Sequence, residues 1–352
     1  MNVTPSKYFH QWRSRIYGIL GLAALLVVVA VLATAVGSVQ IPFLTVGQVL
    51  LAKLPLVSFT AGWPPTTETI ILDIRLPRIV LSGLVGAALA IAGATYQGLF
   101  RNPLADPYLI GVAQGAALGA VIGFLIPTGW HNIGFGIIPL LAFLGAVGST
   151  IIVYNLARAG KSLPITTLIL AGVALGALLG SIVSYLIIFS GEKMPGIIFW
   201  LMGSFSMSQW SEVRLVLPYI VIGTLVILLY SRILNVMQLD EAQAQQLGVN
   251  VEKIKIILLA AATLITAAAV SFVGIIGFVG IIIPHAVRLI WGADYRFLLP
   301  LSVLTGAIFL ILADLLARTV LAPTEVPIGV ITALCGAPFF LYLLRRRRKL
   351  LF

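Results

Sequence analysis

Charged residues are scarce in this sequence, which contains 9% Asp, Glu, Lys and Arg against 60% hydrophobic residues. A soluble domain carries about 25% charged residues, so the composition excludes a water-soluble protein. Each membrane-spanning helix needs about 20 apolar residues, and no polar stretch is long enough to form a second domain. We therefore predict an all-α membrane protein with about ten transmembrane helices in one domain, residues 1–352.

Cysteine, histidine and acidic residues are also few. A single cysteine, Cys335, excludes an intrachain disulfide and a thiolate metal cluster. The three histidines, His10, His131 and His285, are far apart in the sequence, and His285 beside a proline is typical of a structural histidine. We predict no catalytic residues, no metal site and no cofactor, and a membrane enzyme is disfavoured.

Asp314 is the exception among the 11 acidic residues, because it lies within a predicted span. Arg318 follows four residues later on the same helix face, so we predict a structural ion pair between them. Intramembrane charge is also a pointer to function. An ion-coupled secondary transporter would need several such acids, and a single one disfavours that alternative.

A nucleotide-binding loop is absent as well. The chain has one Gly-Lys-Ser, at 160–162, and a Walker A loop would need a glycine where Asn155 stands. We predict that the chain binds no nucleotide itself.

The net charge of +11 raises two alternatives, nucleic acid and membrane. If the N-terminus is cytoplasmic and there are ten spans, 16 of the 22 Lys and Arg residues are cytoplasmic and the other 6 are outside. The positive-inside rule therefore predicts cytoplasmic N- and C-termini. The basic charge then serves membrane orientation and lipid contact, and we predict no nucleic-acid binding.

The predicted spans lie near 16–36, 79–99, 108–126, 137–157, 164–189, 214–233, 256–273, 276–291, 297–317 and 327–344. Spans two to five and seven to ten form two sets of four helices that start on opposite sides of the membrane. This layout is an inverted repeat, which many transporters use to build a central pathway. It favours transport over membrane-bound enzymology.

Small residues recur every four positions in three of these spans. The stripes are Gly86, Ala90, Ala94 and Gly98 in span two, Gly111, Gly115, Gly119 and Gly123 in span three, and Gly172, Gly176, Gly180 and Ser184 in span five. Such stripes let helix backbones approach closely in lipid. We predict tight helix packing along the stripes of spans two and three.

Two polar features stay open on the residues alone. The segment 240–250 is a connector or a helix docked on a soluble partner; Asp240 could cap it, and Gly248 could end it. The arginines Arg75, Arg78 and Arg318 fall on the predicted outer side, where they either snorkel to the membrane surface or serve another purpose.

The chain from about 70 to 352 closely resembles the permease subunits of the iron-siderophore, haem and cobalamin class of ABC importers, the type II importers. The resemblance rests on RLPR at 75–78, RNPLADP at 101–107, GVAQGA at 111–116, LAGVALGALLGS at 170–181, GFVGIIIPHAVRLIWGADYR at 277–296 and PTEVPIGVITALCGAPFFLYLL at 323–344. It implies a homodimer with two ATPase subunits and an extracytoplasmic substrate-binding protein, in the cytoplasmic (inner) membrane of a prokaryote.

The resemblance also implies roles for particular residues. The segment DEAQAQQLGV would contact the ATPase through Asp240, Glu241, Ala242, Ala244, Leu247, Gly248 and Val249. The three arginines, Arg75, Arg78 and Arg318, would dock acidic residues of the binding protein. The cytoplasmic gate would comprise Asn102, Leu104, Ile165 and Thr166. The resemblance leaves the carried ligand open between an iron chelate, haem and cobalamin.

Overall fold

The computed structural model describes residues 5–37, 39–53, 62–127, 136–160 and 162–348. The described residues form α-helices and contain no strand beyond one isolated bridge. His131 and Lys161 lie outside the described residues. The helices are α1 (Pro5–Ala35), α2 (Phe43–Ala52), α3 (Pro65–Thr69), α4 (Leu76–Leu99), α5 (Val112–Leu125), α6 (Ile137–Ala157), α7 (Ile165–Ile188), α8 (Met194–Leu201), α9 (Trp210–Leu229), α10 (Ser231–Val236), α11 (Glu241–Gln246), α12 (Val251–Val273), α13 (Val279–Trp291), α14 (Tyr295–Thr319) and α15 (Ile328–Arg348).

Seven stretches of the described helices are long and apolar enough to cross a membrane. They are Trp12–Ala35, Pro65–Leu99, Ile137–Ala157, Ile165–Ile188, Trp210–Leu229, Val251–Val273 and Tyr295–Thr319. Each of the ten predicted spans coincides with a helix, and the remaining three correspond to α5, α13 and α15. The all-α membrane fold is therefore confirmed, while the side on which the termini lie stays a prediction.

Helices α5 and α13 begin later than predicted because the backbone before each of them is left-handed. Gly111 has φ 86° and Phe278 has φ 71°. A residue in the left-handed conformation interrupts a right-handed helix, so each helix can begin only after it. The result is two short helices of 14 and 13 residues. Each follows one of the long helices α4 and α12, which cross the core.

Helices α4 and α12 run in opposite directions. The hydroxyls of Tyr96 and Thr263 lie 3.0 Å apart between them, and the C-terminal end of α4 lies beside the polar chain that leads into α12. There, Gln238 donates to the carbonyl of Gly98 at 3.1 Å. Two antiparallel sets, each a long helix followed by a short one, fit the predicted inverted repeat.

The small-residue stripes of α4 and α5 pack as predicted. A Cβ on Gly119 would lie 1.9 Å from the carbonyl oxygen of Leu141 in α6, and a Cβ on Gly86 would lie 2.2 Å from that of Gly306 in α14. Such distances leave room for glycine only, so α5 packs directly on α6 and α4 on α14.

The stripe of α7 is packed only at its start. A Cβ on Gly172 would lie 2.1 Å from the carbonyl oxygen of Leu109, whereas Gly176 and Gly180 face only the side chain of Gln114, at 3.5 Å or more. In the single chain, this stripe therefore packs closely at Gly172 and not at Gly176 or Gly180. The far part of α7 borders an open groove instead.

Candidate functional site: two polar clusters and an open groove

The bundle has two polar ends. The coupling end comprises the segment 240–250 with the C-terminal end of α4 and the N-terminal ends of α7 and α12. The arginine end comprises the C-terminal ends of α1 and α14, the N-terminal end of α4 and the loop 320–327. The 24 residues of α4 separate the two ends, which corresponds to about 36 Å at 1.5 Å per residue.

The arginine end brings together all three arginines that the sequence singled out. They border a cavity of about 140 Å³, which is lined by Gly37, Ile74, Arg75, Arg78, Arg318, Ala322, Pro323 and Glu325. Arg75, Arg78 and Arg318 are only 4%, 9% and 8% exposed. These side chains are therefore part of the packed protein.

Arg78 binds two carboxylates at once. Its Nη2 lies 2.9 Å from Oδ1 of Asp314 and its Nε lies 2.9 Å from Oδ2. Its Nη1 also donates to Glu325 Oε1 at 2.8 Å. Bidentate contacts of this kind fix the relative orientation of the two groups and also stabilise their pairing.

The predicted ion pair of Asp314 has a different main partner. Arg318 Nε lies 3.9 Å from Asp314 Oδ2, whereas Arg78 reaches the same carboxylate from α4 at hydrogen-bond distance. The reason is that the close packing of α4 on α14 presents the Arg78 fork directly to Asp314. Helical spacing alone identified the acid and missed this partner from another helix.

Arg75 and Arg318 bind the C-terminal end of α1. Arg75 Nη1 donates to the carbonyls of Thr34 at 2.7 Å and Ala35 at 3.0 Å, and Arg318 Nη2 donates to the carbonyl of Ala33. The last carbonyls of a helix have no partners within the helix and carry partial negative charge, so they attract cations. Within the part of the chain that the structure describes, the Nε of Arg318 donates no hydrogen bond.

Glu325 is a site residue that sequence reasoning missed. It accepts from Arg78, and its Oε2 accepts from the hydroxyl of Ser206 at 2.5 Å. Burial favours a higher pKa for Glu325, but the hydrogen bonds from Arg78 and Ser206 outweigh it and lower the pKa below its ordinary value. The sequence could have pointed to Glu325, because it is an acidic residue in the short loop between spans nine and ten.

At the coupling end, the segment 240–250 forms the short helix α11 and an exposed turn. Gly248 ends the helix in a left-handed conformation with φ 82°, as the sequence predicted. Ala244 is fully buried, whereas Ala242, Leu247 and Gly248 are exposed, and Glu241 and Val249 are half-buried. The segment thus packs on the bundle through one face and leaves the other face open.

Asp240 does not cap α11 as the sequence suggested. Its backbone has the extended conformation of an N-cap residue, but its side chain makes no capping hydrogen bond. Its Oδ1 lies 3.7 Å from Nη1 of Arg101 instead. The carboxylate turns away from the helix because this cation projects from the neighbouring elbow.

The four predicted gate residues lie in two segments of the coupling end. Asn102 and Leu104 belong to the elbow after α4, where Asn102 Oδ1 accepts from the Leu104 amide at 3.0 Å. Ile165 and Thr166 form the first turn of α7. Leu104 and Thr166 are exposed. Their role as a gate stays a prediction.

A buried lysine that the sequence did not single out joins the parts of this end. Lys255 of α12 is 5% exposed, and its Nζ lies 3.0 Å from Glu241 and 3.1 Å from Glu252. The sequence indicated this cluster only weakly. Glu252 and Lys255 are three residues apart near the start of a predicted span, and such a spacing is common.

A groove between the two ends is formed by α5, α7 and α8 and is open on one side. It encloses about 510 Å³ and is lined by Gln114, Ala117, Ala177, Gly180, Ser181, Val183, Ser184, Ile187, Leu201 and Ile275. Its wall mixes the amide of Gln114 and the hydroxyls of Ser181 and Ser184 with apolar side chains. No group of three or more His, Cys, Asp or Glu that could hold a metal occurs among the described residues.

The described helices form a multi-pass bundle with a groove between two polar ends. Comparison with known proteins specifies its class: residues 25–346 match the FecCD transport family, and the chain belongs to that family. It is the transmembrane subunit of an ABC transporter and not an enzyme.

Individual relatives are consistent with this assignment. The chain is 50% identical over 286 residues to the cobalamin import system permease protein BtuC of Halobacterium salinarum, covering 81% of this chain and 76% of that protein. It is 41% identical to the hemin transport system permease protein HmuU of Yersinia pestis, covering 87% and 93%. It is also similar to a solved transporter assigned to the metal-chelate type of ABC transporters, in an inward-facing conformation. That likeness has a TM-score of 0.80 at 34% identity and covers 93% of this chain and 98% of that one.

Proposed function

We propose that this chain is the permease subunit of an ATP-driven importer that carries an iron chelate, haem or cobalamin across the cytoplasmic membrane of a prokaryote by alternating access. It works as a homodimer with two ATPase subunits and an extracytoplasmic substrate-binding protein. The relatives named for cobalamin and for hemin support this range of substrates.

The groove carries the proposal. It holds about 510 Å³, and its wall is incomplete in a single chain. Along α7, which borders it, Leu170, Val173 and Tyr185 are exposed, and only 11% of the apolar stretch of this helix is buried. A second copy packed on α7 would complete the wall and bury this apolar surface. The pathway would then lie on the two-fold axis.

The two ends would take the partners. The exposed face of the segment 240–250, with Leu247 65% exposed, suits contact with the ATPase. The cavity bordered by Arg75, Arg78 and Arg318 suits carboxylates of the binding protein, because guanidinium groups bind carboxylates through paired hydrogen bonds. Asn102, Leu104, Ile165 and Thr166 would close the pathway at the coupling end.

An ion-coupled secondary transporter is disfavoured by the environment of Asp314. This buried carboxylate accepts hydrogen bonds from Arg78 through both of its oxygens, so its acceptor positions are taken within the protein. A proton-relay carboxylate must instead exchange its proton during the cycle.

ATP hydrolysis by the assembled parts tests the proposal. The purified chain alone should hydrolyse no ATP, and the complex with its ATPase subunits should do so. Leu247→Asp should weaken ATPase binding without lowering the thermal stability of the permease, because this side chain is exposed. Ala244→Asp should lower that stability, because Ala244 is fully buried. ATP hydrolysis by the isolated chain would contradict the proposal.

A further inference from the structure

Lys255 occupies the centre of a buried charge cluster at the coupling end. Its Nζ donates to Glu241 Oε2 at 3.0 Å, to Glu252 Oε1 at 3.1 Å and to the carbonyl of Leu163 at 3.4 Å. The lysine is 5% exposed. Charged groups enter a protein interior only when their partners compensate for the lost water, so the cluster persists only while these contacts are kept.

The first contact ties the lysine to the segment 240–250. Glu241 is the first residue of α11, fourteen positions before Lys255 in the sequence. Ala244, one turn later in α11, is fully buried. A displacement of α11 therefore acts directly on the N-terminal end of α12.

The other contacts tie the lysine to the chain that leads into α7. Glu252 Oε2 accepts from the amide of Leu163 at 2.9 Å, while Lys255 donates to the carbonyl of the same residue. Both backbone groups of Leu163 are thus held by α12. Leu163 is 4% exposed, so its side chain is fixed as well.

The chain on either side of Leu163 is constrained. On one side, the backbone groups of Ala159 and Ser162 exchange two hydrogen bonds of 3.0 and 3.1 Å. On the other side, Pro164 stands as the N-cap of α7 with φ −67°, and proline allows little change of this angle. Ile165 and Thr166 follow at once, so displacement of Leu163 moves these residues.

We propose that Lys255, with Glu241 and Glu252, is the mechanical link that transmits movement of the segment 240–250 to the start of α7. Lys255 acts as a positioning residue through its contacts with Glu241, Glu252 and Leu163. The inference rests on the proposed function, because it assigns the route by which ATPase movement reaches Ile165 and Thr166. Salt-bridge and hydrogen-bond networks of this kind carry energetic coupling between distant sites when they have two discrete arrangements.

The test follows the exposure of the start of α7 during ATP hydrolysis. Cys335 is the one cysteine of the chain, so Cys335→Ser with Thr166→Cys provides a single thiol at an exposed position. The complete complex, with ATPase subunits and binding protein, is reconstituted in lipid. The rate of maleimide labelling is measured with and without ATP and expressed per ATP hydrolysed.

Three variants are compared in this background. Lys255→Met removes the charge and keeps the stem, Glu241→Gln weakens only the contact with α11, and Lys255→Arg keeps the charge. Lys253→Met is the matched control, because Lys253 is exposed and lies two residues away on the same helix.

We expect Lys255→Met and Glu241→Gln to reduce the ATP-dependent change in labelling per ATP by about fivefold or more, the usual lower range of allosteric coupling. Lys255→Arg should restore part of the response, and Lys253→Met should match the parent. If the complex with Lys255→Met fails to assemble, the labelling response of Glu241→Gln alone decides whether the link exists. A parental response in Glu241→Gln and Lys255→Met overturns the link and leaves the cluster as a structural clamp.

Two further results separate this inference from the function on which it rests. If the parent complex hydrolyses ATP but its labelling does not change, the movement of α7 and the link are both wrong. If the assembled parent complex hydrolyses no ATP, the proposed function itself is wrong, and the link fails with it.

Discussion

Arg78 holds the arginine end together at the level of single residues. It joins Asp314 of α14 and Glu325 of the following loop to α4 through contacts of 2.8–2.9 Å. Asp314 is 2% exposed, so its charge depends on this partner. Removing one member of a buried ion pair leaves an uncompensated charge, which costs more than the pair itself contributes.

We expect Arg78→Gln to lower the free energy of unfolding by about 3–5 kcal/mol, the cost of a buried charge left without its partner. Adding Asp314→Asn should recover part of this loss, because the orphaned charge is then gone. Arg214→Gln is the control, since Arg214 is an exposed arginine near the start of α9. The measurement is thermal unfolding in detergent. A double variant that is no more stable than Arg78→Gln would contradict the account.

Asp314 illustrates which features of this end the sequence could predict. Burial of Asp314 followed from its position in an apolar run, and the ion pair was expected with the cation one turn away. The actual partner, Arg78, is 236 positions distant in the sequence. Partners across helices depend on which helix faces meet, and hydrophobic patterns do not determine that.

At the scale of helices, glycine spacing determines which pairs pack closely. The stripe of α5 meets the backbone of α6, and a Cβ on Gly119 would lie 1.9 Å from a carbonyl oxygen. Gly148 of α6 meets no atom within 4 Å at the position of a Cβ. The two glycines are therefore a matched pair with opposite expected effects.

We expect Gly119→Ala to reduce stability by about 1–3 kcal/mol, because the added methyl forces two backbones apart. Gly148→Ala should be neutral or stabilise by up to about 1 kcal/mol, because alanine favours the helix. Thermal unfolding of both variants in one detergent compares them. Equal effects of the two substitutions would mean that α5 does not pack on α6 in this way.

The helices themselves were predictable because long apolar runs report burial in lipid directly. The residues at which the helices start were less predictable. Before α13, Phe278 adopts the left-handed conformation with φ 71°, which sequence patterns assign to glycine. The open side of α7 was also missed. A stripe of small residues is compatible with three surroundings: a neighbouring helix of the same chain, a second copy of the chain, or an open pathway. The sequence does not distinguish them.

At the scale of the whole molecule, the arginine end is where we propose that the binding protein docks. Arg318→Gln should weaken that association, by about 2–5 kcal/mol if the pair it forms is buried. Glutamine is preferred to glutamate because Asp314 lies 3.9 Å away and would repel a second carboxylate. Binding of the ligand-loaded partner to the reconstituted complex gives the measurement, with Arg214→Gln as control.

Basal ATP hydrolysis should survive Arg318→Gln, since the coupling end is untouched. Unchanged affinity for the binding protein would mean that Arg318 has only a structural role, through its contact with the carbonyl of Ala33. The proposed docking surface would then not include this residue.

The direct test of the central claim is uptake by the reconstituted complex in sealed vesicles. The permease is incorporated with its ATPase subunits, the binding protein is loaded in turn with cobalamin, haem or a ferric chelate, and no ion gradient is imposed. We predict accumulation of at least one of these ligands that requires ATP hydrolysis on the side of the ATPase subunits and the presence of the binding protein. Accumulation that is driven by a proton or sodium gradient without ATP would contradict the account.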